Sequence, residues 1–277
     1  MRLLFRSQAS GTTSPNFVEK TVQAHAQAHS VQGVAREFTM KVLITGASRG
    51  IGAEFCRQLC TEKWSVGEII AFARNPLASN SLRELQTASQ GRLKVVALDL
   101  DDDQNKETNA AGLLDRIRKV TSLESLDLVI NSAGIFGREG AGFAEFDFEV
   151  FRRSFEVNTL GPFKVLQAIA PMLQKSQAKV VQITSLMGSI ADNQSGGSYA
   201  YRASKAALNM MNKSFSIDVP HLISVVLHPG WVQTDMGGPN AQITPQFAVQ
   251  SMLEVIKSLQ PKSSGRYLNF DGSELPW

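Results

Sequence analysis

Apolar residues along this chain fall into short continuous runs separated by longer periodic stretches, and the alternation starts abruptly at Met40. Val42, Leu43 and Ile44 form a run that breaks at Gly46, and over 51–59 the apolar positions adopt helical spacing. The rhythm then repeats. Further strands are expected at 69–73, 93–100, 126–130, 179–184, 222–227 and 267–270. Helices are expected at 82–88, 110–120, 148–173, 201–217 and 245–259. Continuous apolar strands alternating with helices predict a Rossmann-type α/β fold, a doubly wound parallel sheet flanked by helices on both faces. Nothing in 40–277 reads as a linker or a repeat, so a single domain of that extent is expected.

Residues 1–39 break the pattern. Arg2 and Arg6 flank Leu3, Leu4 and Phe5, acids are absent before Glu19, and Ser, Thr, Gln, Ala and His fill much of the remainder. That composition reads as an organelle transit peptide, as an untargeted disordered tail, or as an upstream extension of a domain that starts at Met40. The first reading implies a mitochondrial or plastid location and the others a cytoplasmic one. The chain has 43% hydrophobic and 19% charged residues, ordinary for a globular protein. A net charge of +3 without a basic stripe gives no support to a nucleic-acid partner. No apolar run approaches the ~20 residues that span a bilayer, so no membrane partner is expected. Cys56 and Cys60 lie four apart on one expected helix and read as reduced thiols, because a disulfide framework or a metal site needs more ligands.

Candidate chemistry begins at the first turn, Thr45-Gly46-Ala47-Ser48-Arg49-Gly50-Ile51-Gly52. A side chain at Gly50 would hold a pyrophosphate away from the backbone, and Gly52 lets the helix pack on the strand. The helix start then offers unpaired N–H groups and a positive dipole end to phosphate. A glycine-rich turn can also be only a turn. Arg49 sits in this turn. Arg74 follows the second strand, where an acid would select the ribose 2′-hydroxyl of NAD; none is present, and guanidinium groups suit the 2′-phosphate of NADP.

Tyr201 and Lys205 lie one helical turn apart. A phenol with a pKa of ~10 needs a neighbouring ammonium to become a useful acid–base group at neutral pH. Such a pair also occurs in ordinary helices. Ser185 adds weight, because it ends a strand at the ligand edge of the expected sheet and could hydrogen-bond a carbonyl oxygen.

Taken in order, Thr45-Gly46-x-x-x-Gly50-x-Gly52, Asp99, Asn131-Ser132-Ala133-Gly134, Asn158, Ser185, Tyr201 with Lys205, and Pro229-Gly230 resemble the short-chain dehydrogenase/reductase family over residues 41–277. The run from Tyr201 to Met210, the run from His228 to Gly238, and the ending Asp271-Gly272 to Pro276-Trp277 resemble its C-factor/sniffer branch of carbonyl reductases. That resemblance implies NADPH-dependent reduction of an aldehyde, ketone or quinone to an alcohol, and a homo-oligomer. It implies Tyr201 as general acid, with Lys205 bonding the nicotinamide ribose and lowering the Tyr201 pKa. Ser185 would orient the carbonyl, and Asn158 would hold a relay water. The implied cofactor contacts are Gly46, Ser48, Arg49, Gly50, Ile51 and Gly52 at the phosphates and Arg74 at the 2′-phosphate. Asp99 and Leu100 would meet the adenine, and Asn131, Ala133 and Gly134 would shape the groove. Pro229, Gly230, Val232 and Thr234 would meet the nicotinamide half, beside Tyr201 and Lys205. Ser132 departs from the family's second Asn. Ser185 and Tyr201 stand further apart than in many members, with the polar, glycine-rich 192–198 stretch between them.

A substrate cleft is expected along 186–198 and 237–244, polar and small with Met187 and Met236 as apolar members. His228 reads as a strand-end histidine rather than a base, and His25 with His29 lacks the further ligands of a metal site. Asp101, Asp102 and Asp103 after Asp99 read as helix-capping acids. The rival class is a dinucleotide-binding signalling or redox-sensing protein without turnover; retention of Ser185, Tyr201, Lys205 and Asn158 argues for the enzyme.

Overall fold

The computed structural model describes residues 39–101, 110–137 and 143–277. The leader, with His25 and His29, lies outside the described residues, as do Asp102, Asp103 and most of the 137–142 glycine segment. Seven strands, β1 (Met40–Thr45), β2 (Val66–Ala73), β3 (Leu93–Ala97), β4 (Leu128–Asn131), β5 (Lys179–Ile183), β6 (Ile223–His228) and β7 (Tyr267–Asn269), form one sheet. Their order is β3-β2-β1-β4-β5-β6-β7, and every pairing is parallel. The helices are α1 (Gly50–Leu59), α2 (Asn80–Ala88), α3 (Ala110–Val120), α4 (Phe148–Phe155), α5 (Gly161–Ala168), α6 (Ala170–Leu173), α7 (Tyr199–Asp218) and α8 (Pro245–Ser258). The expected Rossmann-type fold is the observed one.

The strands read as continuous apolar runs because both faces are covered. On one face Val42, Ile44, Ile130, Val181 and Val225 meet Phe55 and Leu59 of α1 and Met252 and Leu253 of α8. On the other, Leu43, Val129 and Val180 meet Leu113 and Ile117 of α3 and Val165 and Leu166 of α5. Toward the C-terminal ends of the strands the buried set turns polar, with Thr45, Asn131, Gln182 and Thr184.

The stretch expected as one helix over 148–173 is instead three pieces around a π-helical turn, Glu156–Leu160. Pro162 is the physical reason. It has no N–H for the Asn158 carbonyl four residues earlier, so the helix widens there and Gly161 donates to the Glu156 carbonyl. Pro171 lies just inside α6. Before α7 the chain turns through three left-handed residues, Gly196, Gly197 and Ser198. Arg202 braces this loop, donating to the Gly197 carbonyl at 3.2 Å and the Ser195 hydroxyl at 2.8 Å.

Candidate active site

Strand order reverses beside β1, whose neighbours β2 and β4 carry the chain outward in opposite directions. A crevice at the carboxyl ends of the strands follows from that reversal. The structure has a cleft there of about 560 Å³, walled by the turns after β1, β2, β3, β4 and β6 and by the start of α7.

Its floor is the turn after β1. Gly46 has φ +73°, and a Cβ on it would lie 2.8 Å from the Ala133 backbone. A Cβ on Gly52 would overlap the Gly46 carbonyl oxygen. The turn is therefore drawn against β4 and against its own helix. The Thr45 hydroxyl completes the link by accepting from the N–H groups of Ser132 and Ala133, both at 3.1 Å. No side chain caps the start of α1, so its first N–H groups face the cleft available to phosphate. A glycine cradle, an uncapped ten-residue helix and the arginines beside them fit a dinucleotide.

Most of the expected cofactor residues line this cleft. Gly46, Ser48, Arg49, Gly50, Ile51 and Gly52 do so from the first turn, and Arg74, Asp99 and Leu100 from the next two. Ala133 and Gly134, Tyr201 and Lys205, and Pro229 and Thr234 complete the set. Asn131, Gly230 and Val232 stand behind the wall. Asn131 is buried and donates to the Pro162 carbonyl at 3.4 Å. Val232 is buried and bridges to Ile243. A Cβ on Gly230 would come within 2.6 Å of the Ile243 side chain. The two arginines differ in state. Arg49 pairs with Asp235 across the cleft mouth at 2.7 Å, whereas Arg74 is exposed and has no ion pair among the described residues.

Tyr201 and Lys205 are both buried on the cleft wall. Ser185 follows β5, and its side chain accepts from the Met187 N–H at 3.2 Å and hydrogen-bonds Tyr201. Lys205 donates to the Ile183 carbonyl at 2.9 Å and lies 5.9 Å from the Tyr201 ring centre. Burial pushes the Tyr201 phenol up to about 12, against a smaller pull downward from Ser185. The resemblance implied the opposite direction. The ammonium does not offset the desolvation because it is buried as well, and burial brings Lys205 down to about 8. Asn158, in the π turn, accepts from the Ile135 N–H at 2.8 Å and donates to the Ile135 carbonyl at 2.9 Å and the Ser204 hydroxyl at 3.0 Å. Its amide thus clamps the loop after β4. A Cβ on Gly134 would sit 3.3 Å from the Asn158 Oδ1 and 3.6 Å from the Lys205 Nζ, so only glycine fits easily between them.

Of the residues expected to form the substrate cleft, this cavity takes Met236 and nothing from 186–198 or 237–244. The Phe136 ring packs on Tyr201, with ring centres 4.9 Å apart. Sequence reasoning missed Phe136 because an aromatic after a strand carries no spacing signal; it named Thr45 within the first turn but gave its hydroxyl no role. His228 ends β6 with a buried Nδ1 that has no hydrogen-bond partner among the described residues, and burial lowers it to about 4, so it is neutral. Among the described residues no cluster of His, Cys, Asp or Glu could hold a metal, and no helix is long and apolar enough to cross a membrane.

A fold, a crevice and a Ser–Tyr–Lys set of this kind define a dinucleotide-dependent oxidoreductase. The short chain dehydrogenase family model matches residues 40–243, and the chain belongs to that family. It is 46% identical over 155 residues to the C-signal of Myxococcus xanthus, covering 55% of this chain and 93% of that protein. It is 35% identical over 242 residues to the 1-hydroxy-2-glutathionyl-2-methyl-3-butene dehydrogenase of Rhodococcus sp. (strain AD45), covering 85% and 99%. The solved carbonyl reductase Sniffer of D. melanogaster superimposes with a TM-score of 0.80 at 30% identity, covering 86% of this chain and 100% of that one. The NADPH-bound carbonyl reductase from chicken fatty liver gives 0.76 at 33% identity, covering 86% and 99%.

Proposed function

We propose that this protein is an NADPH-dependent carbonyl reductase that converts an aldehyde, ketone or quinone to an alcohol. The observation that carries the reading is the Tyr201 hydroxyl, buried, bonded to Ser185 and set on the wall of the cleft with Lys205 one turn away. Bound in the cleft, NADPH would supply the hydride. The remaining work falls to the chain. Ser185 and Tyr201 hydrogen-bond the carbonyl oxygen and stabilise the negative charge it gains. Tyr201 gives that oxygen its proton. Lys205 holds the ribose by its ammonium, and Asn158 keeps the loop after β4 in register with it. With the Asn158 amide committed to Ile135 and Ser204, a proton path to solvent would use its backbone carbonyl, which Pro162 leaves without an α-helical donor.

A panel of carbonyl compounds, followed by loss of NADPH absorbance, tests the reading. Turnover of at least one compound, lost in Tyr201→Phe, supports it; binding of NADPH with no turnover of any favours the signalling reading, which the name of the C-signal relative keeps in view.

Arg74 supports NADP over NAD, because its guanidinium has no ion pair among the described residues and stands just after β2, where a 2′-phosphate would sit. NADPH should bind at least about tenfold more tightly than NADH, or ~1.4 kcal/mol. Titration of each cofactor checks this, and equal dissociation constants refute it. Arg74→Asp should narrow or reverse the preference.

Residues 1–39 are proposed to contribute nothing to the fold or the chemistry, and a chain starting at Met40 should be soluble with parental kcat/KM. Loss of soluble protein would mean that the leader packs on the domain.

A further inference from the structure

We propose that Tyr267, on the edge strand β7, is a positioning residue for Ser185 and acts on catalysis through the turn that carries it. The inference rests on the assignment of Ser185 above. Tyr267 is fully buried; its hydroxyl donates to the Ser185 backbone carbonyl at 2.5 Å and also hydrogen-bonds the Asn209 side chain. In the sheet register Tyr267 is level with Val226 and, one strand further, with Gln182. The phenol therefore crosses over β6 to reach the residue that follows β5. A tyrosine is suited to this span: its rigid ring carries one polar atom through an apolar layer to a carbonyl whose other donor is the Gly188 N–H of the same turn, at 2.8 Å.

The rest of the turn is gripped from α7. The Thr184 hydroxyl donates to the Asn209 Oδ1 at 2.6 Å, and the Asn209 Nδ2 donates to the Gly188 carbonyl at 3.3 Å. A Cβ on Gly188 would meet Lys205 at 3.0 Å, so the turn lies directly against the catalytic helix. Asn209 thus fixes the two ends of the Thr184–Gly188 turn, and Tyr267 fixes its middle at Ser185. The Trp277 ring packs on Tyr267 with centres 5.4 Å apart and holds the phenol in its rotamer. Ser185 carries a hydroxyl whose direction matters to within a few tenths of an ångström, since developing negative charge is stabilised only by donors already in place.

Tyr267→Phe keeps the ring and removes the hydroxyl. The holoenzyme should lose about tenfold in kcat, with KM and the NADPH dissociation constant within about twofold of the parent. In a Ser185→Ala background, followed by single turnovers at excess enzyme, Tyr267→Phe should have no further effect, because the group it positions is gone. A kcat within twofold of the parent overturns the proposal. So does an equal tenfold loss in both backgrounds, or a loss shared between KM and cofactor affinity, which a general loosening of the sheet edge would give. If Ser185→Ala alone turns over like the parent, the assignment of Ser185 has failed, and the inference falls with it. If Ser185→Ala is slow and Tyr267→Phe is not, only the inference falls.

Discussion

Tyr201→Phe should lower carbonyl turnover by at least ~10²-fold while leaving the NADPH dissociation constant unchanged, since proton transfer from a placed side chain contributes typically ~10²–10⁴-fold. The substitution removes one oxygen. The ring stays, and with it the contact to Phe136 at 4.9 Å, so the wall of the cleft keeps its shape. Burial has pushed the phenol up to about 12, so the hydroxyl remains protonated throughout the range in which the enzyme would be assayed. The donor is loaded at every such pH, and the loss should be the same at pH 6 and pH 9. An alkaline limb in the parent would then belong to another group. Stopped-flow single turnovers with the best substrate from the carbonyl panel, together with cofactor titration, check both halves. A variant within a factor of three of the parent would remove Tyr201 from the mechanism and leave only a dinucleotide-binding fold.

The layered fold was legible because burial on both faces writes itself into the strands as unbroken apolar runs; the three central residues of β1, Val42, Leu43 and Ile44, are all fully buried. Boundaries slipped where the signal is local and weak. β3 ends at Ala97 rather than 100; Leu98 still donates to the Ala73 carbonyl at 2.9 Å, and Leu98 and Leu100 are buried in the core beyond the strand. The break at Glu156–Leu160 was not legible from apolar periodicity, although Pro162 marks it in hindsight. The site divides in the same way. Glycine spacing and the Tyr–Lys interval are properties of one short segment and could be read directly. The cleft geometry that excludes Asn131 and Val232 depends on side-chain direction in three dimensions. Tyr267 meets Ser185 across a separation of 82 residues, and no spacing rule connects them. The direction of the Tyr201 pKa failed for a related reason: the Tyr–Lys interval announces a charge partner, but only packing reveals that both groups are desolvated.

Lys205→Met should abolish carbonyl reduction and weaken NADPH binding, yet raise the thermal midpoint of the protein. Lys205 is buried, and burial lowers it from an ordinary 10.5 to about 8. The folded pKa lies below the unfolded one, so holding the ammonium inside costs stability at neutral pH, by roughly 3 kcal/mol if the whole difference is counted. That cost is fully present below pH about 8 and is relieved as the pH rises from there towards 10.5. Methionine fills a similar volume without charge. It forfeits the bond to the Ile183 carbonyl, leaving that acceptor unsatisfied, which costs about 1–3 kcal/mol. A net gain of about 1 kcal/mol is expected, or roughly 2–4 °C in Tm for a domain of this size. The same titration governs the cofactor. A cationic Lys205 attracts the anionic cofactor and donates to its ribose more strongly than the neutral amine does, so the parent's NADPH affinity should hold steady up to pH about 8 and decline above it. In Lys205→Met, affinity should be weaker at every pH, with no decline centred there. Calorimetric melting and fluorescence titration across pH 6–10 measure both effects. A Lys205→Met protein that melts well below the parent would show that the amine is held for the fold, through Ile183, and not against it for the chemistry.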